Sequence, residues 1–179
     1  ILKCMYLLHI GGRGKVRASL MASGTILREA LAAAELLEKD FGIPADVYSI
    51  TSFSELRREA LDAERWNLLH PAATPRVPYV RQCLQQSDGP FIAVSDYMKV
   101  VADQLRQWVP GRYVALGADG YGRSDARAEL RDFFEVDRRW IAYAALKALA
   151  DEGRLDVEMV TAAQAKLGID PAKPNPLSV

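Results

Sequence analysis

Gly117-Ala118-Asp119-Gly120-Tyr121-Gly122-Arg123-Ser124-Asp125-Ala126-Arg127 follows the short apolar run Tyr113-Val114-Ala115-Leu116 and leads into a segment carrying Leu130, Phe133 and Phe134. Three glycines among six positions let the backbone turn sharply and let a second backbone approach closely. An apolar run, such a loop and then apolar residues at helical spacing make a strand–loop–helix unit, the building block of layered α/β folds. Ser124 or Asp125 is placed to cap the following helix by accepting its orphan backbone N–H groups.

The same alternation recurs upstream. Val16–Ala22 reads as a first core strand, and Ser23-Gly24-Thr25 turns it into a helix whose Ile26, Leu27, Ala30, Leu31, Ala34 and Leu37 fall on one face. Gly42 ends that helix and Pro44 prevents a restart. Asp46–Ile50 is a second strand. Ser52-Phe53-Ser54-Glu55 fits the capping box and opens a helix with Phe53, Leu56, Ala60 and Ala63 inward. Glu55–Arg58, Arg58–Asp62 and Asp62–Arg65 sit at contact spacing on its solvated face. Pro71, Pro75 and Pro78 enforce an extended connection to a short helix over Tyr79–Leu84. Phe91–Val94 is a central strand, followed by a helix over Tyr97–Val109, the strand Tyr113–Leu116 and the glycine loop. Two further helices, Ile141–Ala150 and Val157–Leu167, close near Gly153 and Gly168, and a Pro-containing tail completes the chain. No internal repeat is visible.

Composition bounds the function. The chain has 179 residues, half of them hydrophobic, with 23 basic side chains against 23 acidic. That length suits one domain with a sizeable core. The balanced charge gives no electrostatic reason to expect nucleic acid or an anionic membrane as partner. No apolar run reaches the roughly 18–20 residues of a membrane span. The beginning, Ile1 to Leu8, lacks a basic leader, a cleavage site and an initiator Met, and reads as the lead-in from a longer chain. Cys4 and Cys83 lack C-x-x-C spacing and are expected to be buried, reduced thiols of a cytoplasmic protein.

No constellation for chemistry stands out. In Gly120-x-Gly122-x-x-Asp125 an Asp replaces the third glycine of a dinucleotide fingerprint, which puts a carboxylate where a pyrophosphate would sit. A free anion at the helix start is physically possible, but a structural turn meeting a neighbouring subunit fits better. Asp119-Gly120 is preceded by Ala118, and no Asn pair follows to complete a metal–diphosphate motif, which needs oxygen ligands from both ends. His9 and His70, the only histidines, are expected in connections, as surface or capping side chains. Trp66, Trp108 and Trp140 are expected in packing roles.

Ala22–Arg28, Asp46–Ser49 with Thr51–Phe53, Glu64–Asn67 with His70-Pro71, Arg76–Tyr79 after Pro75, Ser95–Lys99 and Gly168–Asp170 together resemble the C-terminal domain of the homodimeric bacterial pyruvate dehydrogenases. The resemblance runs from about Lys15 to Pro176. Ala118 stands where Thr is expected and Tyr121 where Phe is usual, both conservative departures. It implies a three-layer, transketolase C-terminal-domain-like fold over 15–179, with a mixed, mostly parallel sheet flanked by helices, and 1–14 as a leading segment from the preceding domain. It further implies an enzyme that decarboxylates pyruvate on thiamine diphosphate and Mg²⁺ and reductively acetylates the lipoyl group of a dihydrolipoyl acetyltransferase core. Cofactor and metal would be held by the other domains and the second subunit. No catalytic, cofactor-binding or metal-binding residue carries over to this chain. Tyr121, Arg123 and Asp125 are its candidate interface residues. The alternatives are the equivalent domain of a transketolase or of another 2-oxo-acid dehydrogenase, and a stand-alone α/β module that binds an anion.

Overall fold

Four apolar runs, each bounded by turn residues, form the parallel part of a five-stranded sheet in the computed structural model, which describes residues 3–179. The strands are β1 (Met5–His9), β2 (Ala18–Ala22), β3 (Ala45–Ile50), β4 (Phe91–Val94) and β5 (Tyr113–Leu116). Their order is β1-β3-β2-β4-β5, with β1 antiparallel to β3 and all other pairs parallel. Register explains the layers. Val47, Leu20, Ile92 and Val114 lie side by side and face one core, whereas Tyr48, Met21, Ala93 and Ala115 face the other. Such two-sided burial is why β2 and β4 read as continuous apolar runs rather than alternating ones.

Helices cover both faces. On the first lie α1 (Leu27–Phe41), α6 (Arg138–Asp151) and α7 (Val157–Lys166); on the second lie α2 (Phe53–Leu69), α3 (Tyr79–Leu84) and the short α4 (Lys99–Asp103). α5 (Arg127–Phe133) follows the glycine loop. The result is the expected three-layer arrangement. Gly42 caps α1 in the left-handed conformation, φ +67°, its N–H bonded to Glu38 O. Ser52 caps α2, accepting from Glu55 N at 3.2 Å, and Phe53, Leu56, Ala60 and Ala63 are buried as their spacing requires. Glu55 pairs with Arg58, but Asp62 reaches Arg76 at 3.9 Å instead of Arg58 or Arg65.

Several expectations need correction. The first core strand starts at Ala18, not Val16. A strand that periodicity missed, β1, lies within the leading segment 1–14, of which Ile1 and Leu2 fall outside the described residues. His9 therefore closes a strand rather than lying in a connection. His70 does lie at the end of α2, its Nδ1 2.7 Å from Trp66 O and its ring stacked on Trp66 at 4.3 Å. The expected helix over Tyr97–Val109 is only α4 and then a 3₁₀ turn at Arg106–Trp108. Arg106 donates to Tyr113 O at 2.7 Å and so draws this segment onto β5. Cys4 and Cys83 are free thiols but half-buried rather than buried. Trp108 is core, its Nε1 donating to Glu64 at 2.8 Å, while Trp66 and Trp140 are half-buried.

The Pro-rich connection is ordered without being buried. The Asn67 side chain pairs with the Arg76 backbone in both directions, at 2.9 and 2.7 Å. The Arg76 guanidinium lies 4.2 Å from the Trp66 ring centre. The residues from His70 to Val77 are thus held by polar and cation–π contacts rather than by a core.

Candidate functional site

β2 runs through α1 to β3 on one side, whereas β4 runs through α4 to β5 on the other, so the order in which strands are added to the sheet reverses between the parallel neighbours β2 and β4. Loops beyond the carboxyl ends of the strands at such a point are where open α/β sheets present functional groups. Here those loops are Ser23–Thr25, Ser95–Lys99 and Gly117–Arg127. Thr25 Oγ1 donates to Asp96 Oδ2 at 3.3 Å across the gap. Beside them Thr25, Asp96, Ala118, Arg127, Leu130 and Phe134 line a small cavity of about 230 Å³.

The glycine loop is stitched to its neighbour by backbone geometry. Ala118 N donates to Tyr97 O at 2.9 Å, and Lys99 N donates to Asp119 Oδ1 at 2.9 Å. A Cβ at Gly117 would come within 2.5 Å of Tyr97 O and 2.6 Å of Lys99 N, so no larger residue fits there. Gly120 has φ +105°, and a Cβ there would overlap the Pro176 carbonyl. Gly122 has open space around it and needs no glycine on either count. Two of the three glycines are therefore structural requirements.

The Asp119 carboxylate is engaged by the first amide of α4, and Gly120 is closed off by the tail. Among the described residues no group of three or more His, Cys, Asp or Glu is arranged to hold a metal ion. The loop does not fit a thiamine diphosphate–Mg²⁺ cradle.

Tyr121 is 81% exposed, and Arg123 and Asp125 are exposed on the same loop. The Arg123 guanidinium lies 4.1 Å from the centre of the Phe133 ring. Capping departs from expectation. Ala126 occupies the cap position of α5 and supplies no side-chain bond, while Asp125 Oδ1 accepts only from Ala126 N at 2.7 Å. The loop runs on beyond Ser124 and Asp125, and α5 begins only at Arg127. Asp125 and Glu129, before and within the first turn of α5, oppose an anion there. Near the loop, the Tyr97–Val100 corner exposes Tyr97 (65%), Met98 and Val100.

An ion cluster beneath the loop escaped sequence reasoning. Glu29 lies on α1 with a side chain only 7% exposed. It accepts from Arg131 Nη1 at 2.7 Å, Arg138 N at 3.1 Å and Arg138 Nε at 2.9 Å. Burial alone would raise its pKa, but the hydrogen bonds from Arg138 and the charges of Arg138 and Arg131 outweigh it, so the carboxyl sits below the ordinary value. Asp137 caps α6 through Arg139 N at 2.8 Å and Trp140 N at 3.1 Å. Asp132 receives Trp140 Nε1 at 2.9 Å and Arg139 Nη2 at 2.7 Å. Asp137 directly before Arg138–Ile141 was the one available signal, a helix-start signature. On the other face burial pushes the Tyr113 phenol upward, and its hydroxyl donates to Ala102 O at 2.6 Å.

A mixed sheet of this order, layered between helices on both faces, defines a three-layer α/β domain. The chain belongs to the transketolase-like C-terminal domain family, whose model matches residues 5–137. It is 55% identical over 179 residues to the pyruvate dehydrogenase E1 component of Pseudomonas aeruginosa, covering 99% of this chain and 20% of that protein. To the same component of Escherichia coli K12 it is 52% identical over 167 residues, covering 93% of this chain and 18% of that protein. The chain thus spans about a fifth of the length of these relatives. Among solved structures it resembles transketolase from Campylobacter jejuni, with TM-score 0.55, 19% identity and coverage of 81% of this chain and 18% of that one. A Pichia stipitis transketolase mutant in complex with xylulose 5-phosphate gives TM-score 0.56, 22% identity and coverage of 87% and 19%. Those two likenesses concern the fold.

Proposed function

We propose that the chain is the C-terminal domain of a pyruvate dehydrogenase E1 component, where it serves assembly rather than chemistry. The whole enzyme, on this reading, decarboxylates pyruvate on thiamine diphosphate and Mg²⁺ and passes the two-carbon unit to the lipoyl group of a dihydrolipoyl acetyltransferase core. Both cofactor and metal are held by the preceding domains of a cytoplasmic homodimer, and residues 1–14 lead in from one of them. Tyr121, Arg123 and Asp125 meet another domain or the second subunit.

The observation that carries this reading is the carboxyl edge of the sheet. Two of its carboxylates are engaged by neighbouring loops, Asp119 by Lys99 N and Asp96 by Thr25 Oγ1, and an aromatic and a guanidinium are exposed. Exposed Tyr and Arg are the residue types that anchor interfaces, whereas catalysis needs a tuned acid, base or nucleophile in reach of a substrate. Relatives at 52–55% identity favour an E1 component over a transketolase. The carboxylates around the start of α5 argue against an anion-binding module.

Titration calorimetry of this chain with thiamine diphosphate and Mg²⁺ tests the reading. Heats indistinguishable from dilution are expected, and no release of CO₂ from pyruvate. Stoichiometric binding in the micromolar range would overturn it.

A further inference from the structure

Proline-rich tails past a last helix are ordinarily loose, unless side chains tie them down. In this chain the residues after α7 are tied down at two places, both on the unit formed by the glycine loop and α5. Pro176 is buried, and its carbonyl occupies the space that any side chain at Gly120 would need. The Asn175 side chain holds the turn around it, accepting from Leu177 N at 3.0 Å, while Asn175 O accepts from Ser178 N at 2.9 Å.

The second tie is Lys173. Its Nζ donates to Phe133 O at 2.8 Å and to the Glu135 carboxylate at 3.0 Å. The same ammonium lies 5.0 Å from the Trp140 ring centre and 5.6 Å from that of Phe133. Phe133 O is one of the carbonyls left without an intrahelical partner at the end of α5, where a cation is favoured by the helix dipole. Glu135 is one of only two non-glycine residues with positive φ among the described residues, at +61°. That conformation costs energy for a residue with a Cβ and persists only where its surroundings hold it. Lys173 grips both the orphan carbonyl and the strained residue.

We infer that Asp170–Ser178 is a strap that sets the conformation of the whole unit Gly120–Glu135, so that the tail, rather than the loop itself, positions the exposed Tyr121 and Arg123. The glycine loop has few interactions of its own beyond Asp119: Asp125 bonds only its neighbour, and Arg123 rests on Phe133, which the strap holds. α5 buries no residue completely, and its ties to α1 and α6 run through Arg131 to Glu29 and through Asp132, in the half of the helix nearest Phe133. Release of the strap at one end therefore loosens the unit at the other.

Hydrogen exchange on the full chain tests this, with Lys173→Met and Gly120→Ala as separate variants. Lys173→Met keeps the aliphatic stem and touches nothing in the glycine loop. It is expected to speed amide exchange at Ala118 and Asp119, the loop amides that are hydrogen-bonded, as well as at Phe134–Val136, by about tenfold or more, with β2 and β4 unchanged. Gly120→Ala should do the same in the opposite direction along the chain. Exchange that rises only next to each substitution, or not at all, would overturn the strap. So would a uniform rise through β2 and β4, which would make the tail a general stabiliser. Lys173→Arg, which retains the cation, should restore most of the protection, and its failure to do so would also count against the strap. The inference does not rest on the interface reading, because exchange is measured without assembly.

Discussion

Glu29 shows how a single residue ties the two halves of the chain together. Its bonds reach residues 102 and 109 positions away, which is why helix spacing alone treats it as an outward charge. Removing one partner of a buried, hydrogen-bonded pair leaves the other uncompensated, at about 3–5 kcal/mol for fully buried cases. Arg138 is 52% exposed, so Glu29→Gln is expected to destabilise by less, roughly 2 kcal/mol, read as a lower urea midpoint at pH 7. The sign of the pH effect follows from the lowered folded pKa. Stability from Glu29 is complete above its unfolded value of about 4.5 and is lost as pH falls through the lower folded value. The difference in midpoint between wild type and Glu29→Gln should therefore shrink on acidification through that window. A difference that stayed constant down to the lowest pH at which the chain is folded would contradict this account.

At the scale of elements, legibility tracked how local each signal was. The Ser52–Glu55 box and Gly42 announce α2 and the end of α1 because capping is decided within four residues. Ser52→Ala should cost about 1 kcal/mol, the usual loss for an N-cap. Urea unfolding would show it as a lower midpoint at unchanged slope, and an unchanged midpoint would mean that the cap is dispensable. α4 is shorter than the spacing of its apolar residues predicts for the opposite reason. Val100, Val101, Leu105 and Trp108 have helical spacing, yet Arg106 is drawn to Tyr113 O and the helix tightens into 3₁₀ geometry. β1 carries no alternation that would announce a strand, because Leu7 and Leu8 are both substantially exposed on an edge strand. In the candidate site, the glycines and exposed Tyr121, Arg123 and Asp125 were visible in the sequence. The reasons for Gly117 and Gly120 were not, since one depends on Tyr97 and the other on Pro176.

For the molecule as a whole, the three-layer fold, the pyruvate dehydrogenase E1 relatives and the exposed Tyr121 and Arg123 at the carboxyl edge favour one role. On the proposed reading, the domain presents a surface to the rest of a larger enzyme and leaves the chemistry to it. The claim meets its most direct test in sedimentation velocity of the complete enzyme carrying Arg123→Ala, with turnover per assembled dimer measured on the same sample. The account predicts weakened assembly, a dimer dissociation constant raised about tenfold or more, and nearly normal turnover for the dimers that remain. The isolated domain should stay folded, because Arg123 lies on the surface over Phe133. An intact dimer whose turnover has fallen about a hundredfold would contradict it, placing Arg123 in the reaction path rather than at a contact.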